Sequence, residues 1–247
     1  MTIVFFFFGC FSGEKFDNAI PGKTRRGLGV FVGILDLFLF GGYHYGFNSL
    51  IDTYKSLGLF AYNCTQSGCM YHDNKFGIAF NVWLVTQMCL ITLAGLFMDK
   101  VGLRALKLVA TVMYAIGTIM FGFTTGTREV LFYAGGILVA LSSVCTLICD
   151  HQISSMFPHI RGFCISLFSG AFDSSTVIAY AISVNHTRFS LQWSFVTLAM
   201  GALIFGTFIA LFILTMKSVD MSKFASTKDK QSVLQSRVSV CRKKINQ

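Results

Sequence analysis

The chain has 247 residues, of which 54% are hydrophobic and 13% charged, with 27 Phe, a mean hydropathy of +0.64 and a formal net charge of +9. A soluble chain carries about 25% charged residues, so the composition excludes an ordinary water-soluble domain and makes lipid the solvent for much of the surface. The basic excess does not read as a nucleic-acid footprint, because its residues are spread over separate loops with no stacking aromatics interleaved.

Residues 1–27 come first and are expected to form a cytoplasmic amino-terminal segment. Its opening run, with Phe5 to Phe8, is apolar but too short to span, and it lacks the basic start of a secretory signal;. An unstructured or interfacial segment is the reading that fits. A hydrocarbon core of about 30 Å requires roughly 20 apolar residues in a helix, and six stretches meet that length: 28–54, 76–98, 103–123, 130–157, 161–184 and 192–216. Unbroken runs such as 196–214 favour helices over the short alternating segments of a β-barrel. The expected fold is an all-α integral membrane protein with a six-helix domain over 28–216, followed by a polar, basic cytoplasmic tail over 217–247 with no periodic apolar face;.

Lys and Arg set the expected orientation. With a cytoplasmic amino terminus, the inside receives Lys15, Lys23, Arg25, Arg26, Lys100, Arg104, Lys107, Arg161 and the basic tail, and the outside keeps Lys55, Lys75, Arg128 and Arg188;. Both termini are then cytoplasmic. Asn63-Cys64-Thr65 and Asn185-His186-Thr187 are glycosylation acceptor patterns, and both fall in loops assigned to the outside. Cys64 and Cys69 share the first of those loops, where oxidising conditions permit a bridge; two free thiols are the other reading. Cys89, Cys145, Cys149 and Cys164 lie within spans and read as small packing residues. Cys145 and Cys149 are one helical turn apart, but no matching His or Cys pair answers them, so no metal site is expected.

Ionisable groups inside a bilayer cost at least ~2.5 kcal/mol and face a bundle interior or a wet cavity. Asp36, Asp150 and Asp173 are the carboxylates in this class. Asp36 and Tyr43 fall on nearly the same face of the first span, with His44 and Asn48 beside them. Gly41, Gly42 and Gly46 on this stretch permit close helix contact or a local kink. In the fifth span Ser169, Asp173, Thr176 and Tyr180 form a polar stripe, suited either to a solute path or to hydrogen bonding between helices. Ser143, Thr146 and Asp150 share a face of the fourth span; Asp150 reads as a helix end meeting headgroup water, with a cytoplasmic gate as the alternative. His151 follows it, near the interface. No nucleophile motif or Gly-rich phosphate loop accompanies these residues, so nothing makes a case for an enzyme.

The segment Gly95-Leu96-Phe97-Met98-Asp99-Lys100-Val101-Gly102-Leu103-Arg104 carries an acid, basic neighbours and a turn glycine in the predicted loop between the second and third spans. It resembles the loop of the major facilitator superfamily, in which the acid pairs with basic groups and helps to hold the inward face closed. The resemblance implies gating by Asp99, Lys100 and Arg104, with Gly95 and Gly102 permitting close packing. Further likeness appears in Gly33-Ile34-Leu35-Asp36 through Gly46-Phe47-Asn48-Ser49-Leu50, in Cys69 through Asp73-Asn74-Lys75-Phe76, and in Ser169-Gly170-Ala171-Phe172-Asp173-Ser174-Ser175. These resemble the solute carrier 43 family, the last of them its equilibrative nucleobase transporter branch.

That resemblance implies a plasma-membrane facilitator working by alternating access without a cofactor or metal. Its solute would be a purine nucleobase or, as in other branches, a large neutral amino acid. Asp36, Tyr43 and Asp173 are the residues expected nearest the solute. Family members have about twelve spans where six are read here, so the chain is expected either to be a shortened isoform or incomplete gene product, or to pair with another copy or with a separate second six-helix half. The alternative is a non-transporting membrane partner of full-length relatives.

Overall fold

The computed structural model describes residues 22–60, 70–186 and 189–214, and among them the chain is helical with no strand. Six helices are long and apolar enough to cross a membrane: α1 (Gly27–Ser56), α2 (Asp73–Val101), α3 (Leu103–Gly122), α4 (Glu129–Met156), α5 (Arg161–Asn185) and α6 (Leu191–Ile213). All six expected spans are present, with ends within a few residues of those read from hydropathy. Asn63, Cys64, Cys69, most of 1–27 and the tail beyond 214 lie outside the described residues.

α3 is the central helix, packed along α4 on one side and α6 on the other, while α2 lies against α4 and the second half of α1 against the second half of α5. Two cores fill the bundle. Toward the end holding the start of α2 and of α4, an aromatic cluster gathers Phe47, Tyr54, Phe60, Phe76, Trp83, Phe121 and Phe132. Many of its ring pairs meet edge to face, such as Trp83 with Phe121 at 5.5 Å between centroids, the arrangement that the aromatic quadrupole favours. The other core is largely aliphatic, with Leu37, Leu103, Cys149, Ile153, Phe168 and Ile213. The intramembrane cysteines Cys145, Cys149 and Cys164 are buried packing residues, whereas Cys89 is exposed.

Small residues set the closest approaches. A Cβ on Gly136 of α4 would overlap the Trp83 indole of α2. Gly102 joins α2 to α3 at φ 104°, a conformation that disfavours side chains, and its carbonyl accepts the Leu106 amide at 3.1 Å. Gly95, by contrast, has nothing within 4 Å of a would-be Cβ, so a side chain there would meet open space and the expected close packing is not made on that side.

α1 departs from a plain helix. It is α-helical to Asp36, makes a π turn over Leu37–Gly41, passes through Gly42, continues as a 3-10 helix over Tyr43–Leu50 and becomes α-helical again over Ile51–Ser56. Both readings of its glycines hold. The helix is irregular, and it meets α5 closely: Gly41 faces the Phe172 ring and Gly46 faces the Thr176 backbone. Gly42 donates its amide to Ser175 Oγ at 2.6 Å, a hydrogen bond that ties α1 to α5. α5 is itself interrupted at Ser175, between Arg161–Ser174 and Thr176–Asn185. The two breaks therefore meet.

Candidate functional site

Three charged side chains converge inside the bundle. Lys107 of α3 donates from Nζ to Asp36 Oδ2 of α1 at 2.7 Å and to Asp150 Oδ1 and Oδ2 of α4 at 2.9 and 3.1 Å. Lys107 and Asp150 are 0% exposed and Asp36 is 2% exposed. Two carboxylates share one ammonium, a formal excess of one negative charge. Such a cluster is expensive to desolvate, and it persists only because each charge has a partner; removing one partner from a buried pair costs about 3–5 kcal/mol. The triad thus ties three helices together near the end of the bundle that carries the α2–α3 turn.

This arrangement corrects two sequence readings. Lys107 is not an interfacial cation, and Asp150 is not a helix end meeting headgroup water. Each occupies an apolar environment because the other neutralises it. The signal available in the sequence was a lone Lys within the apolar stretch from Leu106 to Ala110, in a chain with an acid in each of three other spans, Asp36, Asp150 and Asp173. Ser143 and Thr146, expected on the same face as Asp150, are buried with it.

The expected solute residues separate into different environments. Asp36 is engaged in the triad. Tyr43 is buried, its hydroxyl 3.2 Å from Thr118 Oγ1, its ring edge-on to Tyr114 at 5.7 Å. Asp173 is exposed on α5. Its stripe runs along the outer side of that helix: Tyr180 is exposed, Thr176 is half-buried, and Ser169 Oγ lies 3.4 Å from His151 Nε2. Asp36 and Tyr43 therefore do not share Asp173's open face.

In the loop motif, Arg104 is buried and donates from Nε to the Leu214 carbonyl at 2.8 Å, while Asp99 and Lys100 are exposed at the end of α2. Asn185 is exposed at the end of α5, with its Nδ2 donating to the Ala181 carbonyl at 2.9 Å. At the same end of the bundle, Lys55 and Asp73 pair at 2.7 Å between α1 and α2; such exposed pairs contribute about 0–1 kcal/mol.

A second polar group lies at mid-span and was not singled out as a site by sequence reasoning. Gln87 of α2 donates from Nε2 to the Tyr45 hydroxyl at 2.7 Å, and His44 Nδ1 lies 3.5 Å from Ser143 Oγ of α4. The His44 and Gln87 side chains also interact with each other, as do those of Tyr114 and Thr118, while Trp83 Nε1 is buried without a hydrogen-bond partner among the described residues. Such an unanswered group costs about 1–3 kcal/mol.

Over 167 residues, 63% of this chain, the sequence is 24% identical to Equilibrative nucleobase transporter 1 of Bos taurus. The match covers 34% of that relative, so the chain spans well under half its length. No protein-family model matches the chain, and no solved structure matches it.

Proposed function

We propose that this multi-pass membrane protein is a transporter, or the amino-terminal half of one, that moves small solutes by alternating access. The observation that carries the reading is the first span, whose helical hydrogen bonding gives way at mid-membrane beside buried polar groups. Discontinuous spanning helices of this kind are the usual framework of a midplane solute site, and irregular backbone at that depth is tolerated only inside protein or against a cavity. Similarity to a nucleobase transporter supports purine nucleobases as the solute class, with movement down the concentration gradient. A large neutral amino acid is the alternative solute.

In this reading the Lys107 triad holds α1, α3 and α4 in one arrangement. Asp99, Lys100 and Arg104, with the turn at Gly102 and the small Gly95, belong to the gate at the α2–α3 turn, which faces the cytoplasm of a plasma-membrane protein. Asp173 is the carboxylate left facing outward from the bundle, toward the solute path and a second six-helix half or another copy. Cells expressing the chain are expected to take up labelled adenine saturably, and Asp173→Ala is expected to reduce uptake at unchanged surface delivery. Normal delivery with no saturable uptake of adenine or leucine would instead favour a non-transporting partner of full-length relatives.

A further inference from the structure

Asp173 is the middle residue of Arg161–Asn185, about 18 Å from either end of α5 along the helix axis;. It is exposed, and no hydrogen bond or ion pair engages it among the described residues. The other exposed charges described, Asp52, Asp73, Asp99, Lys100, Arg128 and Arg161, all lie within about two turns of a helix end;. Elsewhere the outward side of the spans is apolar at the depth of Asp173, as at Val85 and Met88 of α2 and Met200 and Ile204 of α6. Acyl chains can cover those surfaces. An ionisable group within a span faces protein or water instead, so the face around Asp173 is not a lipid surface.

Helical phase places Gly162, Ser166, Gly170 and Val177 on the same side of α5 as Asp173, and each of them is exposed. A Cβ on Gly162 or Gly170 would meet nothing within 4 Å. Small residues at four-residue spacing let the backbone of another helix approach closely in a membrane. Ser174 is exposed beside them; its hydroxyl donates to the Gly170 carbonyl at 2.7 Å and can still accept. The face therefore offers two acceptor groups at mid-depth on a helix surface with little to hold a neighbour away.

A cation is what this face lacks, and a second copy cannot bring one. Inside the bundle, Lys107 is engaged by Asp36 and Asp150, and Arg104 is buried against the Leu214 carbonyl. The other described Lys and Arg residues, Lys55, Lys75, Lys100, Arg128 and Arg161, lie at helix ends. A two-fold contact pairs a patch with itself, so two copies joined through α5 would bring Asp173 against Asp173, where like charges repel.

We propose that the outward face of α5 is the docking surface for a spanning helix, other than α1–α6, that carries a Lys or Arg at mid-depth, with Asp173 and Ser174 receiving the cation. This inference rests on the half-transporter reading above: it identifies the second half by the charge that half must carry, and it rejects a second copy in that role.

The test places the purified full chain, labelled with a donor fluorophore, in lipid vesicles with acceptor-labelled spanning peptides of about 20 Leu residues that carry one central Lys, Asp or Leu. Energy transfer reads association. Wild-type chain is expected to bind the Lys peptide about threefold to tenfold more tightly than the Leu peptide, the range for a polar contact between helices in lipid, and to disfavour the Asp peptide. Asp173→Leu is expected to erase the preference for Lys, and Asp173→Lys to transfer it to the Asp peptide. Gly170→Ile is expected to weaken binding of the Lys peptide by holding the helices apart. A Lys peptide that binds no better than the Leu peptide, or a preference that survives Asp173→Leu, would overturn the docking surface. Energy transfer between two differently labelled copies of the chain that is lost in Asp173→Leu would overturn the rejection of a second copy. Adenine uptake by cells expressing the chain tests the transport reading separately, so the two can fail independently.

Discussion

Replacing Lys107 by Met removes the ammonium that Asp36 and Asp150 share, at 2.7 Å on one side and at 2.9 and 3.1 Å on the other. The side-chain volume is nearly conserved, so the effect is electrostatic. Two carboxylates are then buried without a cation, and the cost of about 3–5 kcal/mol corresponds to a fall in Tm of about 6–20 °C for a domain of this size. Asp36→Asn has a different consequence, because it leaves Lys107 and Asp150 as a matched pair with both contacts to Asp150 intact. Its cost is that of one charge-assisted hydrogen bond, about 1.5–3 kcal/mol at most. Combining K107M with D36N and D150N removes every charge, and it is expected to recover most of the loss, as apolar or neutral replacements of whole buried ion clusters often do. Thermal unfolding of the variants in nanodiscs, followed by intrinsic Trp fluorescence, measures the ordering. A K107M protein unfolding within about 2 °C of wild type, or one no less stable than D36N, would refute the reasoning.

Ser175→Ala deprives the Gly42 amide of its acceptor inside the membrane, a loss of about 1–3 kcal/mol; hydrogen exchange at Gly42 should quicken, and an unchanged rate would show that another group satisfies it. Gly136→Ala pushes a methyl group into the Trp83 indole and is expected to cost at least the ~1–3 kcal/mol typical of overpacking; a blue-shifted or broadened Trp emission and a lower Tm would register it, whereas wild-type stability would mean that α2 and α4 separate freely. Asp173→Ala touches an exposed side chain and is expected to change stability by less than ~0.5 kcal/mol, so any loss of uptake in that variant is a loss of function; a large fall in Tm would instead assign Asp173 to packing.

Hydropathy was enough to locate the six helices, because a run of some 20 apolar residues has few other stable destinations. The special character of α1 was legible in Gly41, Gly42 and Gly46, though their spacing did not say that the helix would change type. A π turn depends on where α5 supplies Ser175, and that residue is 133 positions away from Gly42. Asp36 announced itself as a costly intramembrane charge, but its partner was hidden. Lys107 lies only four residues beyond Leu103, about 6 Å along α3, where a count of basic residues near helix ends absorbs it as topology. Helical phase alone likewise grouped Asp36 with Tyr43, on the assumption of one uniform helix between them; the π turn breaks that register. His44 and Gln87 were visible as polar residues, but only packing reveals that they are buried at one depth beside each other.

The wide turn at Leu37–Gly41 holds one residue more than an α-helix would need for the same advance;. Tightening it to the ordinary pitch would swing everything downstream by about 100° about the axis of α1, carrying Tyr45 around while Asp36 stayed clamped by Lys107. The surplus residue sits between the charge cluster that holds Asp36 and the hydrogen bond from Gly42 to Ser175, so two fixed contacts bracket the one turn of α1 that is wider than an α-helix. Such a rotation of one half of a membrane helix against the other would change its length by only about 1.5 Å.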